Sequence, residues 1–267
     1  LNLKSNNIRP DSTLNLTYDY YIGPRDYYIL KGYNQSYEKI REFETIGFWS
    51  GWNVIMEPIR ISLNWLLIKI NKYIPGGYGI AIILLTMLMR LLFHPLHKKS
   101  MDSMKNMQEI QPELKTLQDK FKKDPKRLQQ ETMELYKTKK VNPMGGCLPM
   151  FVQVPIFIAL YTILRGAIEL RYVDFLWIKD LSGPENLFAG KIPLPFIDAL
   201  NILPILMAGS MVLQQKLTSA ATAITPEQRQ QQQIMMVMMP IMMLVFFYNM
   251  PSGLVLYWTV SNLLMIG

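Results

Sequence analysis

Apolar runs near the length of a membrane-crossing helix recur along this chain, with charged stretches between them. A helix needs about 20 predominantly apolar residues to cross the hydrocarbon of a bilayer, and there its backbone polar groups must be satisfied within the segment. Half of the 267 residues are hydrophobic. A soluble core would interleave them with polar positions at helix or strand spacing, whereas here they come in blocks. The blocks predict an all-α polytopic membrane protein with five transmembrane helices. Three occupy residues 76–94, 143–166 and 196–217, and the fourth and fifth share residues 234–267, joined at Pro251-Ser252-Gly253.

The intervening segments have their own character. Residues 1–48 are polar and tyrosine-rich, and strand-like stretches at 18–22 and 27–30 flank the turn Gly23-Pro24-Arg25-Asp26. We expect the C-terminal remnant of an extracytoplasmic β domain, with both chain ends read as truncations. Residues 49–75 repeat apolar side chains at helical spacing but carry several charges and tryptophan, which suits an interfacial amphipathic helix. A helix packed against the rest of the β domain is the alternative. Residues 95–142 are rich in lysine, with an apolar stripe over Met101, Met104, Met107, Leu114, Leu117 and Phe121 and a stop at Asp124-Pro125. They predict a helical hairpin. The hairpin carries far more lysine and arginine than the loop at 167–195, which places the hairpin in the cytoplasm and that loop outside. Residues 218–233 are then a second cytoplasmic loop, and five crossings agree with both assignments.

Arg90 is the sharpest candidate for function. A charge in a span costs on the order of 2.5–3.5 kcal/mol on insertion scales, so it ordinarily faces a wet cavity or a partner. An arginine near a span's inner end can also snorkel to the headgroups. Thr86 lies one turn away on the same face, and Gln153, Gln214 and Asn262 are polar groups on neighbouring spans that can converge with it. No carboxylate stands at comparable depth, since Asp198 falls at the opposite end of its span. The six methionines from Met235 to Met243 circle the fourth span. They suit either a surface that accepts many apolar shapes or a lipid-facing filler. Covalent chemistry has little support. His94 and His97 have no third metal ligand nearby, Ser210 and Ser252 lack a histidine partner, and neither HExxH nor a phosphate-binding loop is present. No metal or cofactor is expected.

Several stretches together resemble the YidC family of membrane protein insertases. They are Asn142-Pro143-Met144-Gly145-Gly146-Cys147-Leu148-Pro149, Gln153-Val154-Pro155-Ile156-Phe157, Arg90 before Leu91-Leu92-Phe93-His94-Pro95, residues 173–181, and Pro251-Ser252-Gly253 through Tyr257-Trp258. The resemblance runs in order from residue 51 onward. It implies five core spans around a hydrophilic groove that opens to the cytoplasm and to lipid and is closed outside. It places Arg90, Tyr257 and Trp258 in that groove; relatives often carry tyrosine at the last of these. It implies a hydrophobic slide on the second and fourth spans, with Val154, Phe157, Met239 and Met243, and it links the hairpin to substrate capture.

The function expected is therefore an insertase and chaperone of the bacterial inner membrane, without enzymatic activity. Nascent membrane proteins would be its substrates, with the Sec translocon as partner and with ribosome and anionic lipid contacts. A small-molecule substrate is not expected. The rivals are a secondary transporter using Arg90 for a small anion, which ordinarily shows discontinuous helices in paired halves, and a scaffold for assembly of other complexes.

Overall fold

The computed structural model describes residues 53–122, 124–142, 145, 148–190, 199–219 and 226–266. The chain divides into two units, residues 1–42 and 43–267, and every described residue belongs to the second. The expected β remnant lies outside the described residues. Among those residues the secondary structure is helical, and β pairing is confined to the isolated bridges Phe175–Ile178 and Leu187–Leu200.

Helix α1, Asn53–Tyr73, turns the stripe Ile59, Leu63, Leu67 and Ile70 onto α2 and α5 and leaves Trp65 exposed beneath Lys69. Helix α2, Gly77–Glu109, has 33 residues and is therefore about 50 Å long. It differs from the sequence expectation at its end. The first span was expected to stop at His94-Pro95, but the helix continues through Pro95 for another 14 residues. Proline removes only one donor and one carbonyl pairing from the helical ladder. The apolar and charged residues around it keep helical propensity throughout.

Helices α3, Gln111–Lys120, and α4, Pro125–Thr138, form the hairpin. Glu113 in the first turn of α3 pairs with Lys139 just beyond α4, so the two run antiparallel. The stop at Asp124-Pro125 behaves as its chemistry dictates: the Asp124 carboxylate accepts from the Arg127 amide at 3.1 Å, and Pro125 opens α4. The stripe expected from Met101 to Phe121 is split at Ile110, where α2 ends and α3 begins.

Helix α5, Leu148–Gly166, leads through a short 3-10 turn, Ile168–Leu170, into the loop before α6, Ile202–Ser219. Helix α7, Pro226–Phe247, begins inside the glutamine-rich stretch expected to be a loop, and α8, Ser252–Leu263, completes the bundle. Helix α8 is the central element, packing on α2, α5 and α6, while α7 leans on α6.

The core is gathered toward one end. Ile82 and Leu85 of α2, Leu160 and Leu164 of α5, Met207 of α6 and Leu254 of α8 are fully buried there. The loop closes that end with Leu170, Ile178 and Leu181, all buried. Its backbone also supplies caps. The Ser252 amide donates to the Gly183 carbonyl at 2.8 Å and the Gly253 amide to Leu181 at 2.9 Å, satisfying donors that a helix N-terminus leaves orphaned. Two glycines permit the close approach. A β-carbon on Gly79 would lie 2.1 Å from the Phe175 ring, and one on Gly253 would lie 3.0 Å from the Leu181 carbonyl. Toward the other end burial fades. From Met87 to Lys99 no residue of α2 is buried, and Met150, Phe151 and Val154 at the start of α5 are exposed.

Candidate functional site

Arg90 stands 13 residues into α2 from Gly77, about 20 Å from the loop-covered end, where the tight core gives way. Its side chain is half-buried and aimed at α8. Nη2 donates to Ser261 Oγ at 2.5 Å, and Nη1 lies 3.1 Å from His97 Nε2. A guanidinium remains protonated and has no acceptor atom, so the His97 nitrogen facing it must offer a lone pair. That fixes the tautomer: neutral His97 carries its proton on Nδ1. Nε of Arg90 is buried with no hydrogen-bond partner. Lys122–Asp119 and Lys139–Glu113 are ion pairs on the hairpin, whereas the groups that meet Arg90, Ser261 and His97, carry no carboxylate. Arg90 is thus a positive charge held by neutral groups.

A second polar contact sits on the same face of α8. Tyr257 lies one turn before Ser261, and its hydroxyl accepts from Gln153 Nε2 of α5 at 3.1 Å. This line of contacts joins α2, α8 and α5 through Arg90, Ser261, Tyr257 and Gln153.

The other polar candidates are placed elsewhere. Thr86 is fully buried and its hydroxyl donates to the Ile82 carbonyl of its own helix at 2.7 Å, so it turns inward rather than toward Arg90. Asn262 donates to Ser210 Oγ of α6 at 3.3 Å, and Gln214 reaches Met265 Sδ at 3.2 Å. These two stitch α6 to the last turn of α8 and to the residues just beyond it. Adjacent residues on a helix point about 100° apart, which is why Ser261 meets Arg90 while Asn262 faces α6.

Trp258 joins an aromatic cluster with Phe157 of α5 and Phe247 of α7, the ring centroids 5.3–5.7 Å apart. The two Phe157 pairs are edge-to-face and the Phe247–Trp258 pair is tilted; aromatic pairs of the first kind contribute about 0.5–1.5 kcal/mol each beyond burial. It bridges α5 and α7 through α8. Outward from the cluster the apolar surface is uncovered: Val154 and Ile158 on α5, and Val237, Met238, Met242 and Val245 on α7, are exposed. Met239 and Met243 are half-buried, and Met243 packs on the core. Exposed apolar side chains in this number mark a lipid or protein contact.

The profile of the 60Kd inner membrane protein family matches residues 69–267, well over half of the chain. The chain belongs to that family. Among similar proteins, the membrane protein insertase YidC of Pelobacter propionicus is 42% identical over 262 residues, covering 97% of this chain and 45% of that protein. The protein of the same name from Syntrophus aciditrophicus is 43% identical over 263 residues, covering 98% and 43%. The chain therefore spans less than half the length of these curated relatives. A solved structure described as an active YidC insertase with the first transmembrane domain resolved superimposes with a TM-score of 0.56 at 27% identity, covering 89% of this chain and 51% of that one.

In this member of the 60Kd inner membrane protein family, two residues that touch the arginine were not singled out for that role from sequence. His97 had been considered only as a metal ligand, and Ser261 not at all. The signal was present: His97 follows Arg90 by seven residues, two helical turns on one face, and Ser261 follows Tyr257 by four.

Proposed function

We propose that this chain is the membrane-embedded part of an insertase that moves hydrophobic segments of newly made proteins into the inner membrane. The single observation that carries this reading is Arg90, a half-buried cation with neutral partners in a bundle whose α5 and α7 carry exposed apolar side chains. Five crossings, by α2, α5, α6, α7 and α8, surround a groove that opens at the Arg90 end. Among the described residues α2 alone is long and apolar enough to cross a membrane, and α5, α6 and α7 contain shorter apolar helices. Lysine-rich α3 and α4 stay in the cytoplasm, and the loop at 167–190 faces outward with α1 in the interface.

An acidic group on a substrate's short translocated tail enters from the cytoplasm and pairs with Arg90. At about 4 Å and an effective dielectric near 20 the attraction is around 4 kcal/mol, comparable to the cost of drawing one charge inward. Capture is then reversible. The hydrophobic segment follows along Val154, Phe157, Met239 and Met243 and leaves sideways into lipid, where burial of its side chains supplies the driving force. Gln153, Tyr257 and Trp258 line the way, and no bond is made or broken. The Sec translocon, ribosomes and anionic lipid are the partners this role calls for.

The test is reconstitution of the protein alone with small single-span substrates that differ in tail charge, read by protease protection. Arg90→Ala should lower protection of acidic-tailed substrates by about tenfold, the equivalent of 1.4 kcal/mol, and spare neutral-tailed ones. Equal loss of both classes would sink the pairing mechanism. Solute flux without protection would favour a transporter.

A further inference from the structure

The two neutral groups that hold the Arg90 fork are not equivalent. Ser261, which accepts from Nη2, is buried on α8 at the centre of the bundle. His97, whose Nε2 lies 3.1 Å from Nη1, is half-buried on the stretch of α2 from Met87 to Lys99 where nothing is buried. It follows Arg90 by seven residues, about 10 Å further from the loop-covered end, and exposed His94, Lys98 and Lys99 surround it in sequence. An anion arriving from the open end therefore meets His97 before Arg90. The lone pair that neutral His97 turns toward Arg90 points into the space beside Nη1 that a carboxylate oxygen must enter. Two acceptors then oppose each other. Protonated His97 has donors on both nitrogens and nothing to offer a guanidinium, so it cannot keep its contact with Arg90, but it can donate to a carboxylate.

We propose that His97 is the second anion-binding group of the Arg90 site: neutral, it closes on Arg90, and on taking up a proton it binds a substrate carboxylate together with Arg90. The proposal rests on the reading of Arg90 as receptor for an acidic tail. Without an anion, protonated His97 and Arg90 would stand as two cations in contact, so the closed, neutral state holds. A carboxylate between them gives each cation a partner and favours the protonated ring. Capture of an acidic group thus draws one proton from solvent onto His97, and falling pH strengthens it. The charged or titratable groups that act on His97 are Arg90 and His94 of its own helix. Of the other helices packed on α2, α8 brings the Tyr257 phenol toward Arg90 and α5 the uncharged Gln153; among the described residues α1 and α3 add no charge there. Histidine is the side chain whose ordinary protonation falls near neutral pH, while a substrate carboxylate stays ionised throughout that range.

The full chain is reconstituted alone, with the same buffer on both faces of the vesicle. Single-span substrates carry either aspartate or asparagine in the translocated tail, and protease protection is read between about pH 8 and about pH 6, the range that brackets histidine. Protection of the aspartate tail should rise as pH falls, by at most about tenfold per pH unit, the limit for one linked proton. The asparagine tail should show a level profile. His97→Gln keeps an acceptor for Arg90 but takes up no proton, and should flatten the rise; His94→Gln should retain it. A level profile for protected aspartate tails in the unaltered protein overturns the role of His97 and leaves the insertase reading standing. A rise that survives His97→Gln does the same. No protection of either substrate at any pH removes the insertase reading and this one with it. The chain has two histidines, so NMR of nitrogen-labelled imidazoles, with His94→Gln to tell them apart, reads His97 itself unaltered. It should be neutral with its proton on Nδ1 when unliganded, and should protonate at higher pH with an aspartate-tailed peptide bound than with an asparagine-tailed one. Equal midpoints with the two bound peptides would overturn the proposal.

Discussion

At the scale of single residues, the behaviour of Arg90 rests on geometry as much as on charge. Its planar fork reaches Ser261 and His97 at once, which a lysine ammonium on a single stem does not reproduce. Arg90→Lys should therefore insert acidic-tailed substrates better than Arg90→Ala but below the unaltered protein. A lysine variant no better than alanine, in the same protease-protection assay, would show that positive charge at this depth is not what matters. Glu185 illustrates the opposite use of charge. It is buried, yet it caps α6 through the Leu203 amide and holds Trp177 at 2.9 Å, where a carboxylate also favours the helix dipole. Glu185→Ala leaves buried donors unsatisfied, at about 1–3 kcal/mol. We expect a lowered midpoint of thermal unfolding in detergent and faster proteolysis within residues 167–190.

At the scale of elements, helix ends here are decided by what reaches the orphaned amides. The start of α8 is capped from the loop, that of α6 by Glu185, and that of α4 by its own Asp124. The first two are tertiary and the third is local, so they respond differently to change. Asp124→Ala removes a cap worth about 1 kcal/mol. It should speed amide hydrogen exchange in the first turn of α4 while leaving the thermal midpoint of the bundle unchanged, because neither hairpin helix buries a residue. Slowed or unchanged exchange there would mean that α4 draws its start from elsewhere. Gly79→Val, in contrast, sets a side chain into the Phe175 ring. The loop must then lift from α2, and the expected outcome is loss of the loop's protease resistance together with a fall in the thermal midpoint.

At the scale of the whole molecule, the asymmetry of packing is the central fact. A loop-covered end with buried Leu170, Ile178 and Leu181 gives way to an end where α2 and α5 bury little. In sealed vesicles of one orientation, protease added from outside should cut either the hairpin at residues 111–138 or the loop at 167–190, and never both until the vesicles are opened. Cleavage of both from one side would contradict an odd number of crossings between them.

The sequence by itself determined that the described part of the molecule, from residue 53 onward, is helical and built on apolar segments, because span-length apolar runs leave the backbone few other ways to satisfy its hydrogen bonds. It also marked the stop at Asp124-Pro125, the turn at Pro251-Ser252-Gly253 and the family, through motifs whose order and spacing are specific. Only the tertiary structure decided which polar groups meet. Gln153 with Tyr257 and Arg90 with Ser261 are contacts between helices, and they depend on rotations about helix axes that periodicity does not set. The same freedom sent Gln214 and Asn262 to the α6–α8 seam and Thr86 back onto its own backbone. Pro95 was legible as a break but proved to lie inside a continuous helix, since one missing donor is a local loss that the flanking turns of α2 absorb.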